Sequence, residues 1–486
     1  MSEEHCCGPS ETSEAREPSE NTVPEARTLI SEQDGAETKK ARIAVVGCSH
    51  GEMDAIYETM ALIEQEKGYK FDLLICCGDY QSVRNYGDLL QMSVPPRFRS
   101  LQTFYKYYSG EKTAPVLTVF IGGNHEASGF LSELPNGGWV APNIYYMGFA
   151  NCIQFAGLRI AGLSGIFAAG DFMYSHHERP PFSERDVKSA YHIRNVDMFR
   201  LRQLRAPNED KVSNPIDIMI SHDWPGGIAE FGDKAWLFRK KDRFEQDHES
   251  GKLGNPSGMK LIYECRPRYY LAAHLHIAFA ALVPHKGASA SERPTPTRFL
   301  SLDKPIPGRK FMQALEINVP NSARMELSYD PHWLAILRST DLLTVAEREH
   351  IILPDMSSSR PCAYERKDFR PTEEELRSIG ELGDLTIKTD TFRQTAPPLI
   401  EVTEESKRAP PSLYYRNPQS AEFCQWLGIR DLNQLLIAKS ADFIGNPHYF
   451  VMPEADEHRQ DDVDFGDDDF VIDRGTSAQS EPLVQD

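Results

Sequence analysis

The chain contains several short apolar runs that each stop at polar groups suited to binding metal ions, and this pattern restricts its fold more than any other feature. The runs span residues 43–46, 71–77, 116–121, 215–220 and 269–273. Short, nearly continuous apolar segments of this kind indicate strands that are buried on both faces. The run at 116–121 leads into Gly122 and Gly123, which permit a tight turn and a close approach of the backbone to a ligand.

A helical pattern separates the first two apolar runs, at residues 54–66. Ile56, Met60 and Ile63 recur at helical spacing, and Asp54 places an acid in the first turn. A strand, a helix and a second strand in this order predict an α/β architecture with a parallel sheet covered on both faces. Further short strands are predicted at residues 144–147, 151–155 and 158–163.

Side chains that bind metals or transfer protons follow five of the predicted strands. They are Cys48, His50, Asp79, Asn124, His125, His222, His274 and His276. The carboxyl ends of parallel strands face one crevice, so residues far apart in sequence can meet there. A single histidine beside an apolar strand is usually structural. Eight such groups at five strand ends instead predict a metal site.

The second half of the chain has a different sequence pattern. From about residue 290 it consists of short segments interrupted by proline. Strands are predicted at 311–319 and 325–329, a helix begins at Pro331, and amphipathic helices are predicted at 371–379 and 420–437. We therefore divide the folded body into a catalytic unit at residues 41–290 and a smaller C-terminal domain at residues 291–452. Residues 164–194 lack sustained periodicity, and long irregular segments of this kind are often functional.

Both ends of the chain are acidic and poor in large apolar residues. Residues 1–40 hold ten acidic and four basic residues, and residues 453–486 hold twelve and two. These segments carry most of the formal net charge of −19. They cannot offset the entropy of ordering, so we predict a disordered N-terminal extension at 1–40 and a disordered acidic tail at 453–486. The body between them is nearly neutral and can carry a local basic groove for nucleic acid.

The cysteines and the hydropathy pattern indicate the compartment. Nine cysteines without regular spacing fit reduced thiols in the cytosol or the nucleus. No apolar stretch approaches the ~20 residues that a membrane-spanning helix requires. The first residues also lack the charged and apolar pattern of a secretory signal. We expect no association with membranes.

The order of the strand-end groups resembles that of the calcineurin-like metallophosphoesterases. The matching motifs are Cys48-Ser49-His50, Gly78-Asp79, Gly123-Asn124-His125-Glu126, the lone His222, and His274-Leu275-His276. This resemblance implies a two-layer β sandwich flanked by helices and two metal ions that share Asp79. It further implies one metal bound by Cys48, His50 and His276, and a second bound by Asn124, His222 and His274.

Two positions depart from the superfamily pattern. Cys48 stands where the superfamily usually has an aspartate, and Ala273 stands where it usually has a glycine. A thiolate is a softer ligand than a carboxylate and, together with imidazoles, suits Zn²⁺ or Fe²⁺ better than Mg²⁺ or Ca²⁺.

Longer stretches narrow the resemblance to the RNA lariat debranching enzymes. They are residues 48–52 (CSHGE), 102–112 (QTFYKYYSGEK), 137–146 (GGWVAPNIYY) and 221–225 (SHDWP). The resemblance implies hydrolysis of the 2′-5′ phosphodiester at the branch of lariat intron RNA, a nuclear location that can extend to the cytoplasm, and two divalent ions. Fe²⁺ and Zn²⁺ are the expected pair, with Mn²⁺ as a substitute. The loop that starts at Ser164 and ends at Arg194 matches the lariat-recognition loop of this family.

We predict that His125 acts as a general acid and not as a metal ligand. Asn124 already offers a neutral oxygen ligand, and adjacent residues leaving a strand point in different directions. His125 is then free to give a proton to the departing ribose oxygen. The alternative is a structural histidine that bonds to a neighbouring loop.

Two other functions remain open from the residues alone. The same scaffold can carry a phosphomonoesterase or a cyclic-nucleotide phosphodiesterase, and a metallophosphoesterase fold can also serve as a binding module without activity. Metal chemistry accounts for phosphoester hydrolysis, whereas the choice of a 2′-5′ linkage rests on the family resemblance.

Overall fold

The computed structural model describes residues 37–179, 182–205, 216–286, 295–354, 364–412 and 415–438. The predicted tails at 1–40 and 453–486 therefore lie almost entirely outside the described residues, and strand β1 begins at Thr38, inside the predicted N-terminal tail. The strands are β1 (Thr38–Val46), β2 (Leu73–Cys76), β3 (Thr118–Phe120), β4 (Gly138–Ala141), β5 (Ile144–Tyr146), β6 (Ala150–Phe155), β7 (Leu158–Leu163), β8 (Ile218–Ser221), β9 (Tyr269–Ala272), β10 (Phe279–Val283), β11 (Thr297–Ser301), β12 (Met312–Pro320) and β13 (Leu327–Tyr329).

These strands form two sheets. The first has the order β12-β1-β2-β3-β5-β4, in which β1, β2, β3 and β5 are parallel and both edge strands are antiparallel. The second has the order β10-β11-β9-β8-β7-β6-β13, with a parallel centre from β11 to β7. The parallel strands of each sheet thus direct their carboxyl ends to one edge.

Alternation along the strands explains why the sequence runs are apolar throughout. In β1, Ile43 and Val45 belong to the core between the two sheets, whereas Ala44 and Val46 face a second core. Successive strand side chains point to opposite faces, so a strand covered on both sides needs apolar residues at every position. The parallel sheet is covered as predicted, by helices on one face and by the second sheet on the other.

Helices cover the outer face of each sheet. The helices in the described part of the chain are α1 (Met53–Lys67), α2 (Tyr86–Leu89), α3 (Phe104–Ser109), α4 (Ser128–Leu131), α5 (Glu184–Ser189), α6 (Asn195–Arg202), α7 (Lys234–Lys240), α8 (Arg243–Glu249), α9 (Gly258–Cys265), α10 (Pro331–Ser339), α11 (Glu373–Gly380), α12 (Pro418–Leu427) and α13 (Leu432–Ala438). Side chains of α1 and α3 pack on the first sheet, and those of α6, α9 and α10 pack on the second. Among the described helices, none is long and apolar enough to cross a membrane. The predicted two-layer sandwich flanked by helices is confirmed.

Strands beyond residue 290 belong to both sheets. β12 pairs with β1 along its whole length, from Thr38 opposite Pro320 to Val46 opposite Met312, while β11 pairs with β9 and β13 pairs with β6. The predicted C-terminal domain therefore contributes three strands to the sandwich. The single helix predicted at 420–437 is two helices, because Gly428 adopts a left-handed conformation and ends α12. Residues 439–452 of the predicted domain lie outside the described residues.

A buried ion network ties the C-terminal part of the chain to the first sheet. Arg84 is fully buried and donates to Asp88 Oδ2 from Nε at 2.8 Å and to Glu133 Oε1 from Nη1 at 2.9 Å. The same Nη1 donates to Thr395 Oγ1 at 2.9 Å, and Thr395 donates to Glu133 Oε2 at 2.6 Å. Each charge in this network has several partners.

We expect Arg84→Met to lower the free energy of unfolding by about 3–5 kcal/mol, because it leaves two buried carboxylates without their cation. Urea denaturation of the variant measures this change. The matched control is Arg97→Met, which removes an exposed arginine and should change stability by less than about 0.5 kcal/mol. Equal stability of the two variants would contradict this interpretation of the network.

Candidate metal centre and active site

All eight predicted site residues follow strand ends at one edge of the sandwich. Residues after β1, β2 and β3 come from the first sheet, and residues after β8 and β9 come from the second. Four of them have left-handed backbone conformations that non-glycine residues rarely adopt: His50, Asp79, His274 and His276, with φ of 45°, 44°, 63° and 48°. Such strained conformations persist where the surrounding structure enforces them and cluster at functional sites.

Four side chains from both sheets form a compact group of metal-ligand atoms. Cys48, His50, Asp79 and His276 each place one ligand atom within 4.8 Å of the others. His50 Nε2 lies 3.0 Å from His276 Nε2 and 3.8 Å from Asp79 Oδ2. Two nitrogens that bind one zinc ion at ~2.0–2.1 Å lie about 3.3 Å apart in tetrahedral geometry. The donor types and their spacing therefore fit a divalent metal ion.

A second group of ligand atoms lies on the other side of Asp79. His222 Nε2 is 3.2 Å from Asp79 Oδ1 and 3.2 Å from Asn124 Oδ1. The rings of His222 and His274 are 5.0 Å apart between centroids. Asp79 thus directs one carboxylate oxygen toward His50 and the other toward His222. The assignment of two metals to these two groups, with Asp79 shared, stays a prediction from the family resemblance.

Two glycines are required by this packing. A Cβ on Gly123 would lie 2.2 Å from Asp79 Oδ1 and 2.7 Å from His222 Nε2. A Cβ on Gly78 would lie 2.3 Å from His222 Nδ1. No side chain fits at either position, because the backbone passes directly against the ligand residues. Gly122, which we had grouped with Gly123, meets only ordinary or slightly tight contacts, the nearest at 3.3 Å from Leu131.

Neighbouring backbone groups orient two of the ligand side chains. His222 Nδ1 donates to the carbonyl oxygen of Cys77 at 2.8 Å, so in the neutral imidazole the lone pair is on Nε2, which faces Asp79 and Asn124. The backbone N–H of His274 donates to Cys48 Sγ at 3.1 Å. This bond links the turn after β1 in the first sheet to the turn after β9 in the second.

Glu126 holds the turns around the site, a role that its sequence motif does not predict. Its carboxylate accepts the backbone N–H groups of Tyr80 at 2.7 Å, Gln81 at 2.9 Å and Gly123 at 3.0 Å. It therefore fixes the turn that carries Asp79 against the turn that carries Asn124. Its position as the last residue of the Gly-Asn-His-Glu motif was the available signal.

Burial sets the protonation of two of the candidate ligand histidines. It lowers the pKa of His50 and of His274 to about 3, so both imidazoles are neutral and can offer a lone pair to a metal. Burial and the neighbouring Asp79 raise the pKa of the Cys48 thiol well above its usual value. The Cys48 thiol would lose its proton on binding a cation, because the cation would stabilise the thiolate.

His125 lies beside the first ligand group. Its backbone N–H donates to Asp79 Oδ1 at 2.8 Å, and its ring centroid is 5.2 Å from that of His50. Asn124, by contrast, directs its oxygen to His222. These two adjacent side chains therefore diverge, as the sequence argument expected. The general-acid role of His125 stays a prediction.

The loop of residues 164–194 is attached to the site at its start. The Ser164 hydroxyl accepts the backbone N–H of Gly122 at 2.9 Å, and the Gly165 N–H donates to the Gly122 carbonyl at 2.8 Å. The N–H of Phe167 donates to Asp223 Oδ2 at 3.0 Å, next to His222. The loop is less irregular than its sequence suggested, since it contains helix α5. Ser183 is the N-cap of this helix and forms a capping box with Asp186. Residues 180 and 181 of the loop lie outside the described part of the chain.

A C-terminal segment lies along this loop. The N–H of Ile351 donates to the Met173 carbonyl at 2.8 Å, and the guanidinium of Arg348 lies 4.0 Å from the centroid of the Tyr174 ring. Tyr174 also pairs with His350, with ring centroids 4.3 Å apart. The C-terminal half of the chain therefore supports the loop that borders the metal centre.

The fold and this site define a calcineurin-like phosphoesterase, and the family model of that description matches residues 41–278. A second model, the C-terminal domain of lariat debranching enzymes, matches residues 294–432. The chain belongs to the lariat debranching enzyme family.

Relatives with that name cover nearly the whole chain. It is 74% identical over 481 residues to the lariat debranching enzyme of Caenorhabditis elegans. The alignment covers 98% of this chain and 95% of the relative. The chain is 72% identical to that of Caenorhabditis briggsae, with 98% and 93% covered. It is 44% identical to the human enzyme, with 90% and 77% covered.

Proposed function

We infer that the protein hydrolyses the 2′-5′ phosphodiester at the branch of excised intron lariat RNA. This reaction linearises the intron for turnover. The observation that carries this inference is the pair of ligand groups that share Asp79 at the rim of the sandwich. The family supports the substrate, because relatives of this name cover nearly the whole chain.

Divalent cations bound by the two groups would neutralise charge on the phosphate and activate a water molecule for in-line attack. The chain itself supplies the remaining elements. Asp79 holds the two ligand groups in a fixed relation, and Glu126 fixes the turns that carry them. His125 lies beside the first group and would protonate the departing ribose oxygen.

We propose Fe²⁺ and Zn²⁺ as the two ions, with Mn²⁺ able to replace them. The thiolate of Cys48 and the imidazoles of His50 and His276 are soft and borderline ligands that favour these metals over Mg²⁺ or Ca²⁺. Elemental analysis of protein purified without oxygen tests this assignment. A full load of Mg²⁺ or Ca²⁺ with no transition metal would contradict it.

A substrate panel tests the function itself. Turnover is compared on branched RNA, on linear RNA of the same composition, and on small phosphomonoesters and cyclic nucleotides. We expect cleavage of branched RNA to exceed all others. Faster turnover of small phosphoesters would indicate a different enzyme on the same scaffold, and metal-loaded protein without any turnover would indicate a binding module.

We further propose that the loop of residues 164–194 confers branch specificity, because it borders the metal centre and is fixed to the Gly122 turn. Removal of the exposed Ala169 and Gly170 should lower kcat/KM for branched RNA by about 10-fold or more, since small displacements of positioning groups are costly. A small chromogenic diester should lose much less. The control removes the exposed Glu401 and Val402. Equal losses on both substrates would show that the loop only supports the fold.

The nucleus is the proposed site of action, with the cytoplasm as a second location. Excised lariat introns, the proposed substrate, are products of splicing and arise in the nucleus. Imaging of the tagged full chain in cells tests the proposal. Complete exclusion of the protein from the nucleus would contradict it.

A further inference from the structure

Lys304 is a buried cation that neither the strand-end motifs nor the phosphoesterase model includes. It follows β11, outside residues 41–278, and only 5% of its surface is exposed. Lysine is almost never buried this deeply unless negative groups lie near it. The surroundings of this residue therefore have functional interest.

The sheet brings Lys304 to the same edge as the metal ligands. β11 pairs in parallel with β9, with Ser301 opposite Ala272, so both strands end together. The N–H of Leu302 donates to the Ala272 carbonyl at 3.2 Å, which keeps the chain beside the turn that carries His274. Residues 302–304 thus follow the second sheet at the same edge as the predicted ligands His222, His274 and His276.

The same segment passes against the turn that carries Cys48. A Cβ on Gly47 would lie 2.2 Å from the carbonyl oxygen of Asp303 and 2.6 Å from that of Leu302. Farther along the chain, the Phe311 carbonyl accepts the N–H of Gly47 at 3.1 Å. Residues 302–311 therefore bridge the β1 turn and the β9 turn, from which Cys48 and His276 extend.

Local hydrogen bonds fix the conformation of this segment. Asp303 Oδ1 accepts the N–H of Lys304 at 2.7 Å and Nη1 of Arg309 at 3.3 Å. The Lys304 carbonyl accepts the N–H of Ile306 at 2.7 Å. Prolines at 305 and 307 restrict the backbone further. The position of the lysine is thus set before any ligand binds.

The charge of Lys304 acts on the first ligand group. It lowers the pKa of His50 and His276 in addition to the larger effect of burial, and it opposes the rise that burial causes in the pKa of Cys48. The ammonium is therefore within electrostatic range of these side chains, in agreement with the backbone contacts of Leu302 and Asp303 with the β9 and β1 turns. Among the assigned metal ligands only Asp79 and the Cys48 thiolate carry a negative charge, so two divalent cations would leave a positive excess on the ligand set itself. An additional cation at this place favours the binding of a further anion.

We propose that Lys304 is a phosphate-binding residue of the active site, whose ammonium contacts a phosphate of the bound RNA on the side of Cys48, His50 and His276. The choice of RNA rests on the proposed function. The binding of phosphate does not, because it follows from the charge and position of Lys304.

Metal-loaded full-length protein carrying Lys304→Met tests the proposal, since methionine keeps a similar length without the charge. The affinity for inorganic phosphate, measured by calorimetry, should fall by ~10-fold or more, as expected for loss of a charge-assisted hydrogen bond. KM for branched RNA should rise by a similar factor. The slope of log affinity against log salt concentration should decrease by ~0.7–0.9, the value for one phosphate contact.

Two variants and the metal content complete the experiment. Lys304→Arg should recover part of the affinity, and Lys67→Met, at an exposed lysine in the last turn of α1, should leave phosphate and RNA binding unchanged. Unchanged phosphate affinity in Lys304→Met would overturn the proposal. So would loss of metal with normal phosphate affinity after metal is restored, because Lys304 would then only support the ligands.

Phosphate binding and RNA cleavage by the unmodified protein distinguish a failure of this proposal from a failure of the proposed function. If it binds phosphate through Lys304 but does not cleave branched RNA, the function is wrong and the phosphate site stands. If it cleaves branched RNA and Lys304→Met behaves like Lys67→Met, only the phosphate site is wrong.

Discussion

His125→Ala is expected to lower the turnover of branched RNA by ~10²–10⁴-fold, the usual contribution of a positioned general acid. The protein should keep its metals and bind branched RNA nearly normally, because the described ligand groups do not depend on this imidazole. Its ring lies 5.2 Å from that of His50, while Asn124 beside it points to His222. The effect should therefore appear in kcat and leave KM almost unchanged.

The leaving group distinguishes an acid from a structural histidine. A diester with a much better leaving group needs no proton, so His125→Ala should cleave it almost as fast as the unmodified protein does. The control is His285→Ala, which removes a half-buried histidine bonded to Thr297 Oγ1 at 2.8 Å. If His125→Ala is as impaired on the activated diester as on RNA, the general-acid role is wrong.

Cys48→Ala should lose one of the two metal ions and more than about 100-fold in turnover. Cys48 is one of four ligand side chains in the first group, and even residues that only support metal ligands typically contribute 10–100-fold. Elemental analysis gives the metal content of the purified variant. Full metal content together with normal turnover would contradict the ligand assignment.

Cys152→Ala is the matched control, since Cys152 is equally buried but lies in β6 within the core of the second sheet. It should keep both metals. Oxidation gives an independent test of the same thiol. Conversion of Cys48 to a sulfinic acid should inactivate the enzyme, because the soft thiolate ligand is lost.

The strand-end residues could be predicted because the rule behind them is local. An apolar run reveals a buried strand, and parallel strands direct their ends to one edge, so Cys48, Asp79 and His222 could be grouped without knowing which sheet carries each of them. The sequence did not show which strands belong to which sheet. A continuous apolar run indicates that both faces of β1 and β8 are buried, but it does not indicate what covers them.

Long-range pairing accounts for most of what the sequence did not show. Nothing local indicates that β12 pairs with β1 across more than 260 residues, or that β11 carries Lys304 to the ligand residues of β9. A lysine between a strand and two prolines has the pattern of an ordinary surface loop. Its role depends on the sheet order, which only the fold provides.

The most direct test of the account uses one RNA that contains a single 2′-5′ linkage among 3′-5′ linkages. The metal-loaded full-length protein is incubated with this branched RNA, and mass spectrometry identifies every bond that is cut. We predict cleavage at the 2′-5′ linkage alone, and loss of that cleavage when the metals are removed by chelation. Cleavage of the 3′-5′ linkages at a comparable rate, or undiminished cleavage without metal, would contradict the account.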